Sequence, residues 1–213
     1  MRLHDYPASA NCFKVRLLLA QLGLDCERVD VDIFGGDTLT AEFARLNPAR
    51  MTPVLETEAG PLPESNAILV HLAEGSELLP GDPAERAQVM RWLFYEQAEI
   101  QPGIAGLRFR LLTGRLDPDD GRLAKRQETG AAALAVLEEH LREHAFLAGG
   151  RYSIADISVY AYVHVAGDAR FDLADYPAVA AWVARVEATP GFMNDLKPMP
   201  PNSMLGESRS IYG

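Results

Sequence analysis

The segment LPESNAILVHLAE places three polar side chains, Glu64, Ser65 and Asn66, directly before an apolar run with helical spacing. Ser and Asn are ordinary N-cap residues, because their side-chain oxygens accept hydrogen bonds from first-turn amides. A helix N-terminus also collects N–H groups and the positive end of the helix dipole, so it attracts a carboxylate or a phosphate. Capping and anion binding are therefore both open for this segment.

A second polar segment, YPASANCF, precedes the first apolar helical run of the chain. Ser9 and Asn11 are suited to capping that helix. Cys12 is a possible redox nucleophile, since a thiolate is favoured at a helix N-terminus. Its position three residues beyond Ser9 puts it inside the first turn, which argues against that role.

Composition limits the classes of function. The 213 residues are 48% hydrophobic, so the chain can bury a substantial core, and the formal net charge of −10 disfavours nucleic-acid binding. No apolar run approaches the roughly 20 residues that span a bilayer, and the first ten residues do not resemble a signal peptide. The two cysteines fit neither a disulfide framework nor a zinc site. We expect a cytoplasmic protein with reduced thiols, no metal and no membrane partner.

The first third of the chain reads as alternating strands and helices. An apolar start precedes the helical segment CFKVRLLLAQLG, whose Gly23 suits a C-cap, and CERVDVDI alternates as a strand with one buried face. TPVLET and the residues after the EAG turn read as a hairpin, and a helix follows from Ser65. The predicted order is βαβ, then ββα.

The remainder reads as helical. GSELLPGDP has the composition of a linker, and the segments after it show helical periodicity. Ser153 and Asp156 have the spacing of a capping box, so we expect Asp156 to serve folding. The proline-rich end is predicted to be an extended tail.

Four segments in this order resemble the cytosolic glutathione transferase family: YPASANCFKV, NPARMTPVLE, LPESNAILVHLAE and FLAGGRYSIADISVYAYV. The resemblance covers nearly the whole chain. It implies an α/β plus all-α fold, with a thioredoxin-like glutathione-binding domain at 1–77, a linker at 78–83, a helical-bundle domain at 84–200 and a tail at 201–213. It also implies a homodimer.

The resemblance assigns the glutathione-binding residues. Glu64 and Ser65 match the residues that hold the γ-glutamyl end, whose amino group wants a carboxylate and whose carboxylate wants a helix N-terminus. Thr52-Pro53 matches a cis-proline motif that turns Val54 toward the cysteinyl unit of glutathione. Many relatives carry Lys, Gln or Arg two residues before this proline, where this chain has Met51.

For the reactive end, the loop resembles bacterial members with a Ser/Thr-x-Asn active-site loop. The resemblance implies that Ser9 and Asn11 stabilise the thiolate of glutathione, with Tyr6 as a second choice for Ser9. The function implied is a glutathione transferase in detoxification, acting on an electrophilic small molecule with glutathione as co-substrate. A glutathione-dependent disulfide-bond reductase or peroxidase is the first alternative, and a non-catalytic module with this fold is the second.

Overall fold

The computed structural model describes residues 1–117 and 119–212. It consists of two compact units, one formed by residues 1–72 together with the residues from 193 onward, and the other by residues 73–192. The residues from 193 to 200, which the family resemblance groups with the helical domain, lie with the first unit. Among the described residues, no helix combines the length and the apolar character needed to cross a membrane.

The first unit is built on a four-stranded mixed sheet in the order β2-β1-β3-β4. β1 is parallel to β2 and antiparallel to β3, which is antiparallel to β4. The strands are β1 Arg2–Asp5, β2 Glu27–Asp30, β3 Val54–Thr57 and β4 Gly60–Pro63. This arrangement confirms the predicted thioredoxin-like order.

Helices cover the sheet: α1 Ala10–Leu22, α2 Ala41–Leu46 and α3 Ser65–Ala73. One core cluster joins Leu3 and Leu55 of the sheet to Val15 of α1 and Ile68 of α3, while a second joins the sheet to Phe43 of α2. Residues alternate between the two faces of a strand, so the adjacent Val54 and Leu55 pack into different clusters. The sheet therefore lies between two apolar layers.

Two details of the first unit differ from the sequence-based expectation. The second strand ends at Asp30, because the Asp32 carboxylate turns the chain by accepting from the amides of Phe34 (3.1 Å) and Gly35 (2.8 Å). Helix α2 is not predicted at all. Its start is marked by Thr40, whose Oγ1 accepts from the Phe43 amide at 3.1 Å.

The second unit is helical, as predicted: α4 Pro83–Tyr95, a π-helical segment Glu96–Ala105, α5 Gly106–Leu112, α6 Arg122–Glu143, α7 Ile154–Val163 and α8 Pro177–Glu187. A proline inside a helical pattern usually ends or kinks the helix, but this chain does not end its helix at Pro102. The chain stays helical through Pro102 because the wider π-helical turns surround the residue that lacks an amide hydrogen.

Asp156 is a fully buried carboxylate in the second unit. Its carboxylate accepts from the amides of Leu147 and Ser153, both at 3.0 Å, and from Trp182 Nε1 at 2.9 Å. Burial raises the pKa of Asp156 to about 6, against the lowering effect of these donors. The predicted capping box with Ser153 is confirmed.

Replacing Asp156 with Ala is expected to destabilise the protein by at least about 3 kcal/mol. The change leaves three buried donors without their acceptor, each worth about 1–3 kcal/mol. Urea unfolding followed by tryptophan fluorescence measures the loss. The matched control is Asp172→Ala, since the exposed Asp172 caps only the Ala174 amide and should cost about 1 kcal/mol or less. Equal losses in the two variants would contradict the structural role of Asp156.

Candidate active site

A buried ion cluster sets the course of the loop between β1 and α1. Asp5, which is fully buried at the end of β1, receives Arg16 Nη1 at 2.6 Å and Arg28 Nη2 at 2.6 Å. Arg16 also donates from Nη2 to the Pro7 carbonyl at 3.2 Å. Arg16 of α1 therefore holds the loop residues before Ser9 in place.

Ser9 is the N-cap residue of α1. Its extended backbone (φ −83°, ψ 121°) lets Oγ accept from the Cys12 amide at 3.3 Å, and its carbonyl accepts from the Phe13 amide at 2.9 Å. The capping expected from the sequence is thus present. Because Oγ serves as an acceptor in this bond, its own hydrogen is still available to donate to a different acceptor.

A chain of polar contacts links α1 to the start of α3. Ser65 Oγ donates to Asn11 Oδ1 at 3.3 Å and accepts from Lys14 Nζ at 3.4 Å. Lys14 is fully buried, and Ser65 is 4% exposed. The two polar segments of the sequence, separated by some fifty positions, therefore meet through Asn11 and Ser65.

Glu64 precedes α3 and is exposed to solvent. Its carbonyl accepts from the Ile68 amide at 2.9 Å, so Glu64 occupies the N-cap position and Ser65 is the first residue of α3. Its φ of 75° lies in the region that favours glycine. Such strained residues concentrate at ligand sites, where the geometry serves binding.

Val54 begins β3 after Pro53, and the Thr52-Pro53 peptide bond is cis. Val54 is fully buried and pairs with His4 of β1 and with Pro63 of β4. Pro63 has no amide hydrogen, so it cannot donate to the Val54 backbone. The Val54 backbone is therefore held within the sheet, and its neighbour Pro63 can accept but cannot donate a backbone hydrogen bond.

Arg50 and Met51 precede the Thr52-Pro53 turn. Met51 is 39% exposed and carries no charge. Arg50 has a φ of 58°, and its Nη1 donates to the carbonyls of Thr38 (2.8 Å) and Thr40 (3.1 Å). Arg50 thus stabilises the backbone conformation of the residues just before α2.

Cys12 and Tyr6, the two alternatives to Ser9 at the reactive end, both have a raised pKa. Burial raises the pKa of the Cys12 thiol to about 11, with a further contribution from Asp5, and its Sγ accepts from the Tyr6 amide at 3.4 Å. Burial, followed by Asp32 and Cys12, also raises the pKa of Tyr6 well above its usual value. Within the described residues its hydroxyl has no hydrogen-bond partner. Cys12 is therefore a neutral thiol at neutral pH, and Tyr6 is a protonated donor.

Sequence reasoning missed Lys14, which the structure places beneath Ser65. The sequence does carry a signal for Lys14, because Lys14 and Arg16 are the charged residues in an otherwise apolar segment from Cys12 to Leu19. In the structure, all residues of this segment are buried. A charged side chain on a helix that is buried all round needs a specific polar partner.

No group of three or more potential metal-ligating side chains occurs in residues 1–117 and 119–212.

The fold and these contacts define a protein with a thioredoxin-like unit and a helical unit. The family model described as "Glutathione S-transferase, N-terminal domain" matches residues 3–78, and "Glutathione S-transferase, C-terminal domain" matches residues 120–185. The chain belongs to the glutathione S-transferase family.

Similar proteins include both transferases and an oxidoreductase. A glutathione S-transferase from Pseudomonas fluorescens has a crystal structure with a TM-score of 0.88 and 44% identity, covering 92% of this chain and 98% of that one. Glutathione S-transferase 3 of Zea mays is 33% identical over 94% of this chain and 96% of its own. Disulfide-bond oxidoreductase YfcG of Escherichia coli is 30% identical over 96% and 97%, respectively.

Glutathione is present in a structural neighbour. A glutathione transferase from Pseudomonas putida, 30% identical with a TM-score of 0.80, has one glutathione disulfide bound per subunit, and the match covers 92% of this chain and 90% of that one.

The pKa of Cys12 gives a direct chemical prediction. At pH 7, four units below a pKa of about 11, only about one thiol in 10⁴ is ionised, so Cys12 should resist iodoacetamide and react faster only as the pH rises toward 11. Mass spectrometry of the Cys26→Ser variant, which leaves Cys12 as the only thiol, measures this. Unfolding in urea is the positive control. Rapid labelling of the folded variant at neutral pH would contradict the burial and reveal a thiolate.

Proposed function

We propose that this chain is a glutathione transferase that stabilises the glutathione thiolate with Ser9 and Asn11, in a loop of the Ser/Thr-x-Asn type. The observation that carries the proposal is the 3.3 Å hydrogen bond from Ser65 Oγ to Asn11 Oδ1. It supports a single binding site, since the segment suited to the γ-glutamyl group lies beside the segment suited to the sulfur.

In this proposal, the γ-glutamyl end binds at the start of α3. The exposed carboxylate of Glu64 receives the ammonium group, and the amides of the first turn, beginning at Ser65, receive the carboxylate. Lys14 adds positive charge beneath this position and orients the Ser65 hydroxyl, because its Nζ donates to Oγ. Val54, presented by Thr52 and Pro53, pairs its backbone with the cysteinyl unit.

At the reactive end, Ser9 donates the hydrogen of its hydroxyl to the sulfur. The thiol proton passes to solvent, and the thiolate attacks an electrophilic carbon. A C–S bond forms, and the leaving group departs with its electron pair, or an addition is completed by protonation. Ser9 and the positive end of α1 stabilise the thiolate relative to the thiol.

The similarity to a disulfide-bond oxidoreductase favours a second reaction at the same site. There the thiolate attacks one sulfur of a disulfide, the mixed disulfide forms and the other sulfur leaves as a thiolate. The thiolate of a second glutathione then attacks the glutathione sulfur of the mixed disulfide, so glutathione disulfide forms and the remaining substrate sulfur leaves as a thiolate that takes up a proton.

An activated aryl chloride and a small-molecule disulfide, each offered with glutathione, distinguish the two reactions. Binding of glutathione without turnover of either compound would instead indicate a non-catalytic module.

We also propose that the protein is a cytoplasmic homodimer, as is typical of the family. An exposed apolar surface on the second unit supports association. Phe94 is 66% exposed and Val136 is 49% exposed, and both line one shallow cavity together with Trp92. A sedimentation mass near 23.3 kDa, that of a single chain, would rule out the dimer.

Glu64→Gln and Ser65→Ala should each weaken glutathione binding about tenfold or more. Glu64→Gln removes the charge that pairs with the ammonium group, and Ser65→Ala removes the hydroxyl that receives Lys14 and donates to Asn11 beside the ligand carboxylate. Interactions with a charged group are worth about 1.5–3 kcal/mol. Isothermal titration calorimetry measures the affinity. Glu58→Gln is the matched control, because Glu58 is an equally exposed carboxylate in the turn between β3 and β4. Unchanged affinity in both test variants would leave the segment with a capping role only.

Ser9→Ala should spare glutathione binding but raise the pH midpoint at which bound glutathione ionises, and slow turnover. A free thiol has a pKa of about 8.5, and each unit of lowering requires about 1.4 kcal/mol of preferential thiolate stabilisation, a scale within reach of one donor. Ultraviolet absorbance of the bound thiolate gives the midpoint. Tyr6→Phe and Cys12→Ser are the controls. Loss of activity in Cys12→Ser, with Ser9→Ala unaffected, would replace this assignment with cysteine-based thiol exchange.

A further inference from the structure

The chain turns sharply just before Ser9. The Ser9 amide donates to the Tyr6 carbonyl at 2.9 Å, so the four residues from Tyr6 to Ser9 form a β-turn with Pro7 in its second position. The proline ring fixes φ of Pro7, and the orientation of the peptide between Pro7 and Ala8 is then set by ψ. Rotation of this peptide changes where the turn places Ser9. The groups that hold the Pro7 carbonyl therefore control the position of the Ser9 hydroxyl.

Two donors hold the Pro7 carbonyl. Arg16 Nη2 donates to it at 3.2 Å, and the Lys197 amide donates to it at 3.1 Å. Arg16 belongs to α1, whereas Lys197 belongs to the residues from 193 onward, which lie with the first unit. We call these two hydrogen bonds to one oxygen the Pro7 clamp.

Asp195 orients the Arg16 half of the Pro7 clamp. Asp195 Oδ1 accepts from Arg16 Nε at 2.7 Å, while Asp5 Oδ1 accepts from Arg16 Nη1 at 2.6 Å. A guanidinium is planar and its N–H groups form a rigid fork, so fixing Nε and Nη1 also fixes the direction of Nη2. Both halves of the clamp thus depend on the returning chain, through the Lys197 amide directly and through Asp195 by way of Arg16.

We propose that Asp195 and the Lys197 amide are positioning groups for Ser9, which keep its hydroxyl directed at the glutathione sulfur by holding the Pro7 carbonyl. The proposal rests on the proposed function, because it requires Ser9 to donate to this sulfur. Both groups act through the backbone of the turn and take no part in the reaction themselves. A displacement of about 1 Å, caused by a change outside the reacting groups, can lower a rate about 10²-fold.

Asp195→Ala should raise the pH midpoint at which bound glutathione ionises by about one unit, which is a tenfold change in the ratio of thiolate to thiol. Ultraviolet absorbance of the bound thiolate measures the midpoint. The sign of the shift is diagnostic. Removing a carboxylate favours a nearby anion and by itself lowers the pKa of the thiol. A raised midpoint therefore reports the loss of positioning, and a lowered one contradicts the proposal.

Lys197→Pro tests the Pro7 clamp without changing the ion cluster. It removes the amide hydrogen, and Lys197 already precedes Pro198, which favours the extended backbone that a proline also adopts. Lys197→Ala is the matched control, because it removes the side chain but keeps the amide. The proline variant should raise the midpoint and the alanine variant should not. This pair decides the question if Asp195→Ala does not fold.

Adding either change to Ser9→Ala completes the test. If Asp195 and the Lys197 amide act through Ser9, neither addition should shift the midpoint beyond that of Ser9→Ala alone, whereas a full additional shift overturns the proposal. Glu207→Ala, which removes an exposed carboxylate of the same returning chain, should leave the midpoint unchanged.

An unchanged midpoint in the folded Asp195 and Lys197→Pro variants, with Ser9→Ala shifted as expected, overturns this inference alone. If the unmodified chain does not bind glutathione, or if Ser9→Ala leaves the midpoint unchanged, the proposed function and this inference fail together.

Discussion

The first unit depends on one buried carboxylate, that of Asp5. Two arginines from different elements, Arg16 of α1 and Arg28 of β2, converge on it, and Asp195 accepts from both. Removing one partner from such a cluster leaves an uncompensated buried charge, which costs about 3–5 kcal/mol. The cluster therefore holds together a strand end, a helix, a neighbouring strand and the returning chain end. Since Arg16 also donates to the Pro7 carbonyl, it fixes the loop that leads to Ser9.

Helix α1 connects this cluster to the candidate site. It carries two buried cations two residues apart, and they are used differently. Arg16 is paired with carboxylates inside the protein, whereas Lys14 donates to the hydroxyl of Ser65 at the start of α3. The first function is internal to the fold. The second contact ties α1 to the start of α3, so one helix both fixes the loop before Ser9 and reaches the proposed site.

The sequence predicted the βαβ-ββα order, the helical half and the capping box at Asp156, since each rests on local periodicity or on a short spacing. The thioredoxin-like fold was implied by the family resemblance. The sequence did not predict α2, whose six residues are too few to show a helical period. Nor did it predict the helix through Pro102 or the meeting of Asn11 with Ser65. Continuation through a proline depends on a local change of hydrogen-bonding pattern, and the Asn11–Ser65 contact depends on tertiary packing. A glycine inside a helix such as α6 usually lowers helix stability. Gly130 has a packing role there, because a Cβ at this position would overlap the Phe171 ring.

The net charge of −10 repels a small anion less than it repels a long polyanion. At physiological ionic strength the screening length is about 8 Å, so the repulsion of a distant acidic surface is weak at a given ligand atom. At the proposed site, the local field is set within a few ångströms by the N-termini of α1 and α3, where Lys14 lies beneath Ser65. A long polyanion must cross the whole acidic surface, whereas a small anion meets only this region. The same chain can therefore disfavour nucleic acid and still suit a tripeptide that carries carboxylates and a thiolate.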